Sequence, residues 1–346
     1  MNALEGLPGH VVELIRSGLV FEFATVSKAG VPIDTPLLYF PAEDLSTIDC
    51  ATGLAYPSKA ERARRNPRVG LLIEGLAPGE PIVSIAGLAR VEDTDIQANS
   101  LRYIAETATG GTLTVPWSKA REAVWYWSRI IMKVQPTRVL WWESPAAMDG
   151  PPQVWEAPAE TLQAPASPPP PGELSKAPEW SVAEWRDLAD QALAGGKPAH
   201  LTLLDAEGFP LPFRVSDVRK TAQGFTMRAP AGAPWAGGGA TTLSYEGKLT
   251  FVGVAERRGE QVEMVVERTL PVLPLVTGEL WEPKPETRAA LMTRLETELA
   301  RRGQGVPAIP QEQPAPTAGA LRRLERVRRL MPARAAANRA TTPDPA

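Results

Sequence analysis

The sequence predicts a mainly β protein with flanking helices (α+β), folded as two tandem antiparallel barrels, and three observations predict it. Short runs rich in β-branched and aromatic residues, such as "FEFATVS" and "LLIEG", alternate with turn residues such as "KAG", "AEG" and "APGE". Three segments of the first half return in the same order in the second. "ATVSKAGVP" (24–32) matches "LTLLDAEGFP" (201–210), "VGLLIEG" (69–75) matches "TTLSYEG" (241–247), and "SIAGLARV" (84–91) matches "TFVGVAER" (250–257). Within the third pair, Gly87 and Gly253 interrupt strand patterns, where glycine marks a bulge or a tight barrel corner. Short turns between antiparallel strands favour closure into a barrel, because closure removes exposed edges.

The elements follow in order. The first repeat reads as a helix ("VVELIRSG"), three strands, a short basic helix ("SKAERARR") stopped at Pro67, then two more strands. Helices are expected over 93–108 and over 285–303, the latter with Leu291, Leu295 and Leu299 at helical spacing. Prolines cluster between 144 and 178, with four in succession at Pro168–Pro171, which favours an extended polyproline spacer. The expected division is therefore a first barrel over 10–143, a Pro-rich linker over 144–179, a second barrel over 180–303, and a Pro-rich, basic tail over 304–346.

Composition narrows the function. With 43% hydrophobic residues over 346 positions the chain can build two cores. A formal net charge of −3 argues against a nucleic-acid binder, which needs a concentrated basic surface. The single cysteine, Cys50, excludes an intrachain disulfide and a cysteine metal site, and His10 and His200 lie in no metal-ligand spacing. No apolar run approaches a membrane span and no leader pattern opens the chain, so a cytoplasmic protein away from membranes is expected.

The run "ATVSKAGVP…TPLLYF…IDCATGLAYPSKAERARRNPRVGLLIEG…VSIAGLARV", over roughly 21–91, resembles the pyridoxamine 5′-phosphate oxidase-like, FMN-binding split-barrel superfamily. The resemblance rests on a strand-end threonine, a Ser-Lys pair opening a helix, and "NPRV" opening the next strand. It implies split barrels, and a flavin phosphate against the strand ends and the short helix. Carried onto this chain, the phosphate would meet Thr52, Ser58, Lys59 and Arg62, with Ser58 capping the helix. Thr35, Pro36 and Leu37 would lie on the strand that runs along the isoalloxazine ring, offering backbone groups. A vitamin B6 phosphate is not the implied substrate. Thr35 and Phe40 replace an arginine and a substrate-binding lysine of the true oxidases, and no arginine-x-histidine signature follows. The ending "KVQPTRVLWW" resembles instead the reductase branch, which uses FMN or the deazaflavin F420.

The implied function is a flavin-dependent oxidoreductase with FMN, or alternatively F420, that passes hydride to or from a small organic substrate. The catalytic residues are unassigned. The second repeat replaces "YPSKAERARRNPR" with "APAGAPWAGGGA" (229–240), without a cation, so it is expected to close the groove as a degenerate partner, in an intrachain pseudo-dimer or a homodimer. The competing class is a non-enzymatic flavin or haem carrier, or an interaction module using the Pro-rich spacer and the basic tail. Cys50 is expected to be a buried hydrophobe and His200 structural. Trp125–Trp127 and Trp141–Trp142 are expected to fill a core or an interface rather than stack on substrate. Lys59 and Arg62 could equally form a solvated helix face.

Overall fold

The computed structural model describes residues 3–75, 77, 79–109, 113–159, 167–175, 184–245, 249–270 and 281–340, with the backbone alone over 331–340. Helix α1 (Gly9–Ser17) leads into β1 (Val20–Val26), β2 (Pro32–Pro41) and β3 (Ile48–Gly53). Helix α2 (Ser58–Arg65) then precedes β4 (Arg68–Glu74) and β5 (Ile82–Glu92). Helices α3 (Ile96–Thr107), α4 (Trp117–Ala120) and α5 (Val124–Trp127) separate these from β6 (Arg129–Trp142). The antiparallel order β3-β2-β1-β4-β5-β6 closes through β3–β6 pairing into a six-stranded barrel.

The second half repeats the plan. Helix α6 (Trp185–Ala194) precedes β8 (Ala199–Leu204), β9 (Pro210–Lys220), β10 (Gly224–Arg228), β11 (Gly239–Tyr245), β12 (Leu249–Arg258) and β13 (Gln261–Thr269), with β7 (Gln153–Glu156) lying before them on the free edge of β6. The second barrel closes in the order β10-β13-β12-β11-β8-β9. Strand for strand this is the order of the first, so the tandem repeat expected from the three matched segments is present in the topology. The ladder shifts register between Ala86 and Gly87, and between Val252 and Gly253, placing bulges at equivalent points of the two barrels. A Cβ at either glycine would collide with the neighbouring strand, at Val134 in one case and at the Val265 carbonyl in the other.

Both barrels are split at the same place. Strand β2 pairs with β1 from Pro32 to Leu38 but with β3 only from Tyr39 to Pro41, which leaves one edge of its first half without a strand partner. Strand β9 is paired likewise, with β8 over Pro210–Val215 and with β10 only from Ser216 on.

The barrels pack face to face through equivalent strands: β4 on β9 and β11 on β2, β1 on β9 and β8 on β2, β5 on β9 and β12 on β2. This reciprocity is the mark of a two-fold, self-complementary interface, formed here within one chain. Gly70 of β4 lies directly under the Pro210 carbonyl, and the Ser84 hydroxyl donates to the Pro212 carbonyl at 3.0 Å. Between the barrels, the buried His200 ring lies 3.3 Å from Glu22 and 3.4 Å from Glu74, and the Thr202 hydroxyl donates to Asp34 at 3.0 Å.

The C-terminal part returns to the first barrel. Helix α7 (Pro285–Arg301) buries Leu291, Leu295 and Leu299 in the first barrel's core rather than in the second's. The Pro-rich stretch after it is strapped to α3 and α4, where Gln304 binds the Ile96 amide and Trp117 and Arg121 donate to the Pro310 carbonyl. Helix α8 (Ala318–Ala340) packs on α1 and α3 and is anchored by Arg323–Glu106 and Arg326–Glu80 ion pairs, while Arg322, Arg328 and Arg329 are exposed. The first proline cluster is not one uninterrupted spacer. It contains a short 3-10 helix (Pro145–Asp149) and strand β7, and the carbonyls of Pro168, Pro170 and Pro171 accept from Arg64 and Arg301. Residues 160–166 and 176–183 of the expected linker lie outside the described residues.

Candidate functional site

The candidate site is built from the turn where β3 ends and α2 begins, which packs on β1, β5 and β6, and from the split edge of β2 on the other side of β1. Thr52, near the end of β3, is buried, and its hydroxyl donates to the Tyr56 carbonyl at 3.1 Å, tightening the turn that leads into α2. Ser58 does not cap that helix. Pro57 occupies the capping position and no side chain bonds the first-turn amides, so Ser58 is the first helical residue and those N–H groups remain available.

The four basic residues of α2 that follow divide sharply by partner. Arg64 is structural: its guanidinium meets Asp93 at 2.7 Å and Glu61 at 3.5 Å, out of solvent. Arg65 is exposed. Arg62 donates through Nε to the buried Thr25 hydroxyl of β1 at 2.7 Å, which points its fork along the barrel. Lys59 makes no hydrogen bond or ion pair among the described residues. Burial, then the neighbouring Arg62, holds its ammonium down at about 8. Burial, then Arg65, lowers Arg62 to about 10. Arg62 depresses Lys59, Arg65 depresses Arg62, and the weaker pull of Glu22 on Lys59 does not offset them, so the pair favours an anion.

Thr35, Pro36 and Leu37 sit on the half of β2 that lacks a strand partner on one side, opposite Phe23, Glu22 and Phe21 of β1. The Thr35 hydroxyl is out of solvent with no hydrogen-bond partner. Pro36 brings no N–H, so this edge is richer in acceptors than an ordinary strand. A free strand edge, an orphaned hydroxyl and two neighbouring cations fit a planar heterocycle that carries a phosphate.

Sequence reasoning passed over two residues here. Arg129, at the start of β6, lies with its guanidinium carbon 4.1 Å from the Tyr103 ring centroid and 4.2 Å from that of Tyr126. Arg294 of α7 lies 5.2 Å over the Tyr56 ring, which immediately precedes α2. A signal for Arg294 was present: it falls on the stripe 291, 294, 295, 298, 299, where a helix facing a core carries apolar residues.

The remaining expectations resolve as follows. Cys50 is buried, and burial pushes its thiol well up, as for an inert core cysteine. His10 reaches Glu143 at 2.7 Å on the surface. Trp125, Trp127 and Trp141 are buried in the first core, where Trp127 stacks on Trp281, while Trp142 packs edge-on against Phe213 in the second. Where the first barrel has α2, the second has a non-helical segment over 229–238, with Trp235 buried and its indole N–H donating to the Leu211 carbonyl. Among the described residues no group of His, Cys, Asp and Glu is placed to hold a metal, and no helix is long and apolar enough to cross a membrane.

No family model matches the chain, and no curated protein matches it. Solved structures do match, each over less than half of the chain. One is a putative pyridoxamine 5′-phosphate oxidase from Listeria innocua, with 23% identity over 39% of this chain and 96% of the other, and a TM-score of 0.29. A pyridoxamine 5′-phosphate oxidase-related, FMN binding protein from Nostoc punctiforme has 16% identity over 44% and 91%, at 0.31. An F420 reductase has 18% identity over 40% and 100%, again at 0.31.

Proposed function

We propose that the chain binds one flavin-type cofactor, FMN first and F420 second, at the α2 end of the first barrel, and that it is an oxidoreductase acting on a small organic substrate. The observation that carries this reading is the half-buried Lys59 ammonium, without a hydrogen-bond or ion-pair partner among the described residues, set beside Arg62 at the first turn of a helix whose N–H groups no side chain caps. Such a cofactor, when bound, supplies hydride transfer, through N5 if it is FMN and through the equivalent C5 if it is the deazaflavin F420. The protein's own contribution is positional. Lys59, Arg62 and the α2 amides would hold the phosphate, and Thr52 would keep the turn before α2 closed. The open edge of β2 at Thr35, Pro36 and Leu37 would face the ring. The second barrel, without a helix or cation at the equivalent place, would cover the groove rather than duplicate it.

Two results are expected from Lys59. Replacing it with methionine removes a charge-assisted hydrogen bond, typically about 1.5–3 kcal/mol, so FMN affinity should fall roughly 10- to 100-fold by fluorescence titration. The affinity should also depend on pH. Because the free ammonium titrates near 8 rather than near 10.4, it is charged below 8 and progressively neutral above it, and a phosphate selects the charged form. Binding of FMN should therefore weaken by up to tenfold per pH unit above about 8, and that slope should be absent in Lys59→Met. A Lys59→Met protein that binds FMN as wild type, with the same pH profile, would contradict the assignment.

A further inference from the structure

The cations around Tyr56 are not all accounted for by one phosphate at α2. Arg294 is 8% exposed, and its Nε and Nη1 have no hydrogen-bond partner. Its face is used, since it lies over the Tyr56 ring, but a cation–π contact engages the face of a guanidinium and leaves the in-plane N–H groups still wanting acceptors. Glu298, one turn further along α7, does not supply them: its oxygens already serve the Ser175 amide, Arg301 and Arg302. The Tyr56 hydroxyl is likewise out of solvent with no partner. On the other side of the same turn stands Arg129, 7% exposed, with its Nε unpartnered and its face between two tyrosine rings. Both groups lie beside Gly53, since a Cβ built there would be in ordinary contact, 3.5 Å, with Arg129 Nη1 and with the Tyr56 ring. Arg294 Nε and Nη1 and Arg129 Nε can only donate and the Tyr56 hydroxyl can donate as well, so an acceptor with negative charge would serve all of them.

We propose that Arg294, the Tyr56 hydroxyl and Arg129 form a second oxyanion subsite beside the Lys59–Arg62 site. The chain would then take a phosphate or carboxylate group in addition to the cofactor phosphate. The inference rests on the cofactor reading only for what fills the neighbouring site; its own donors stand independently of that reading. The subsite is assembled from both ends of the chain, since α7 follows the second barrel in sequence yet packs in the first barrel's core. The anion is either a second charged group on the cofactor's tail or a charged group on the substrate.

Equilibrium dialysis of the full chain against inorganic phosphate, with binding counted per chain, tests this. Wild type should bind two equivalents, and Arg294→Met and Lys59→Met should each bind one. Arg294→Lys should keep two, because it retains the charge, and circular dichroism should show all variants folded. If Arg294→Met still binds two, or wild type binds only one, the subsite is overturned. If Arg294→Met loses one while Lys59→Met keeps two, the subsite stands and the cofactor reading at α2 falls instead. FMN, which carries one phosphate, and F420, which carries a phosphate and an acidic tail, then separate the sources. A loss of at least tenfold for F420 in Arg294→Met, with FMN unchanged, assigns the anion to the cofactor tail. Binding of both as in wild type assigns it to the substrate.

Discussion

Replacing Gly70 with alanine should push the two barrels apart. Gly70 sits on β4 between Ala24 of β1 and Ala86 of β5, on the face that β9 covers. A Cβ built there would overlap the Pro210 carbonyl oxygen, and the Pro212 ring lies close behind it. Neither neighbour is the end of a flexible side chain. The backbone of β9 must therefore move, taking with it the Ser84–Pro212 and Thr202–Asp34 hydrogen bonds. Overpacking a well-fitted contact costs about 1–3 kcal/mol, and here rigid backbone meets rigid backbone, so about 3 kcal/mol or more is expected. Calorimetry should show a lowered melting temperature and a transition that broadens or divides as the barrels melt separately. Gly9→Ala, where a Cβ meets nothing, is the control and should change stability by less than about 1 kcal/mol. A Gly70→Ala protein as stable as that control would mean that the barrels do not meet in this way.

Removing His200 should have an effect of similar size through charge rather than shape. Burial alone would lower the imidazole, but Glu74 and the hydrogen bond to Glu22 outweigh it and carry the ring up to about 10. Burial, and then Glu22, pushes the Asp34 carboxyl the other way, well above its usual range and toward its protonated form. The cluster thus holds a protonated histidine against Glu22 and Glu74, with Arg214 at 3.7 Å from Glu74 as a second cation. His200→Leu leaves the buried Glu22 carboxylate without the cation beside it, while Glu74 keeps Arg214, and removing one partner of a buried pair typically costs roughly 3–5 kcal/mol. The pH dependence follows from the direction of the shifts. A histidine raised from near 6.5 to about 10 contributes fully below 6.5, and its contribution fades as pH rises through 10. Asp34, raised from its usual range, acts in the same sense, since the unfolded chain releases its proton more readily. Wild-type stability should therefore fall between about pH 6.5 and 10, and His200→Leu should flatten that slope. An unchanged slope in urea titrations across this range would contradict the charge assignment.

How much of this was legible depended on the range of the interaction. The barrels were legible because their evidence is local and twice repeated: the turns after Val26 and Leu204, and the bulges at Gly87 and Gly253, each fix a backbone conformation within a few residues. Helix α2 was legible because Pro57 and Pro67 bracket it. What its cations do was not, since Arg64 and Lys59 carry the same charge and differ only in whether Asp93, a residue on the far side of β5, stands opposite. Ser58 misled because a serine before a basic helix is a common cap, whereas here Pro57 holds that place. The inter-barrel cluster was invisible because Glu22, Asp34, Glu74 and His200 each look like a polar residue on an ordinary strand. Only the packing of β8 and β9 over β1, β2 and β4 brings them together, with Glu22, Asp34 and His200 buried and Glu74 half-buried. The return of α7 and α8 to the first barrel likewise has no local signal beyond the charged residues Arg294 and Glu298 on an otherwise apolar stripe.

The central claim is that a single cofactor site per chain is built at α2 and covered by a second barrel that has lost its own. The most direct measurement is the visible absorption spectrum of the freshly purified full chain, with mass spectrometry of whatever heat releases and the amount counted against protein. The account predicts a flavin-type spectrum, FMN or F420 in the released fraction, and one equivalent per chain. Two equivalents would show that the segment over 229–238 holds a cofactor without helix or cation. A protein that is colourless and takes up neither FMN nor F420 would contradict the site itself.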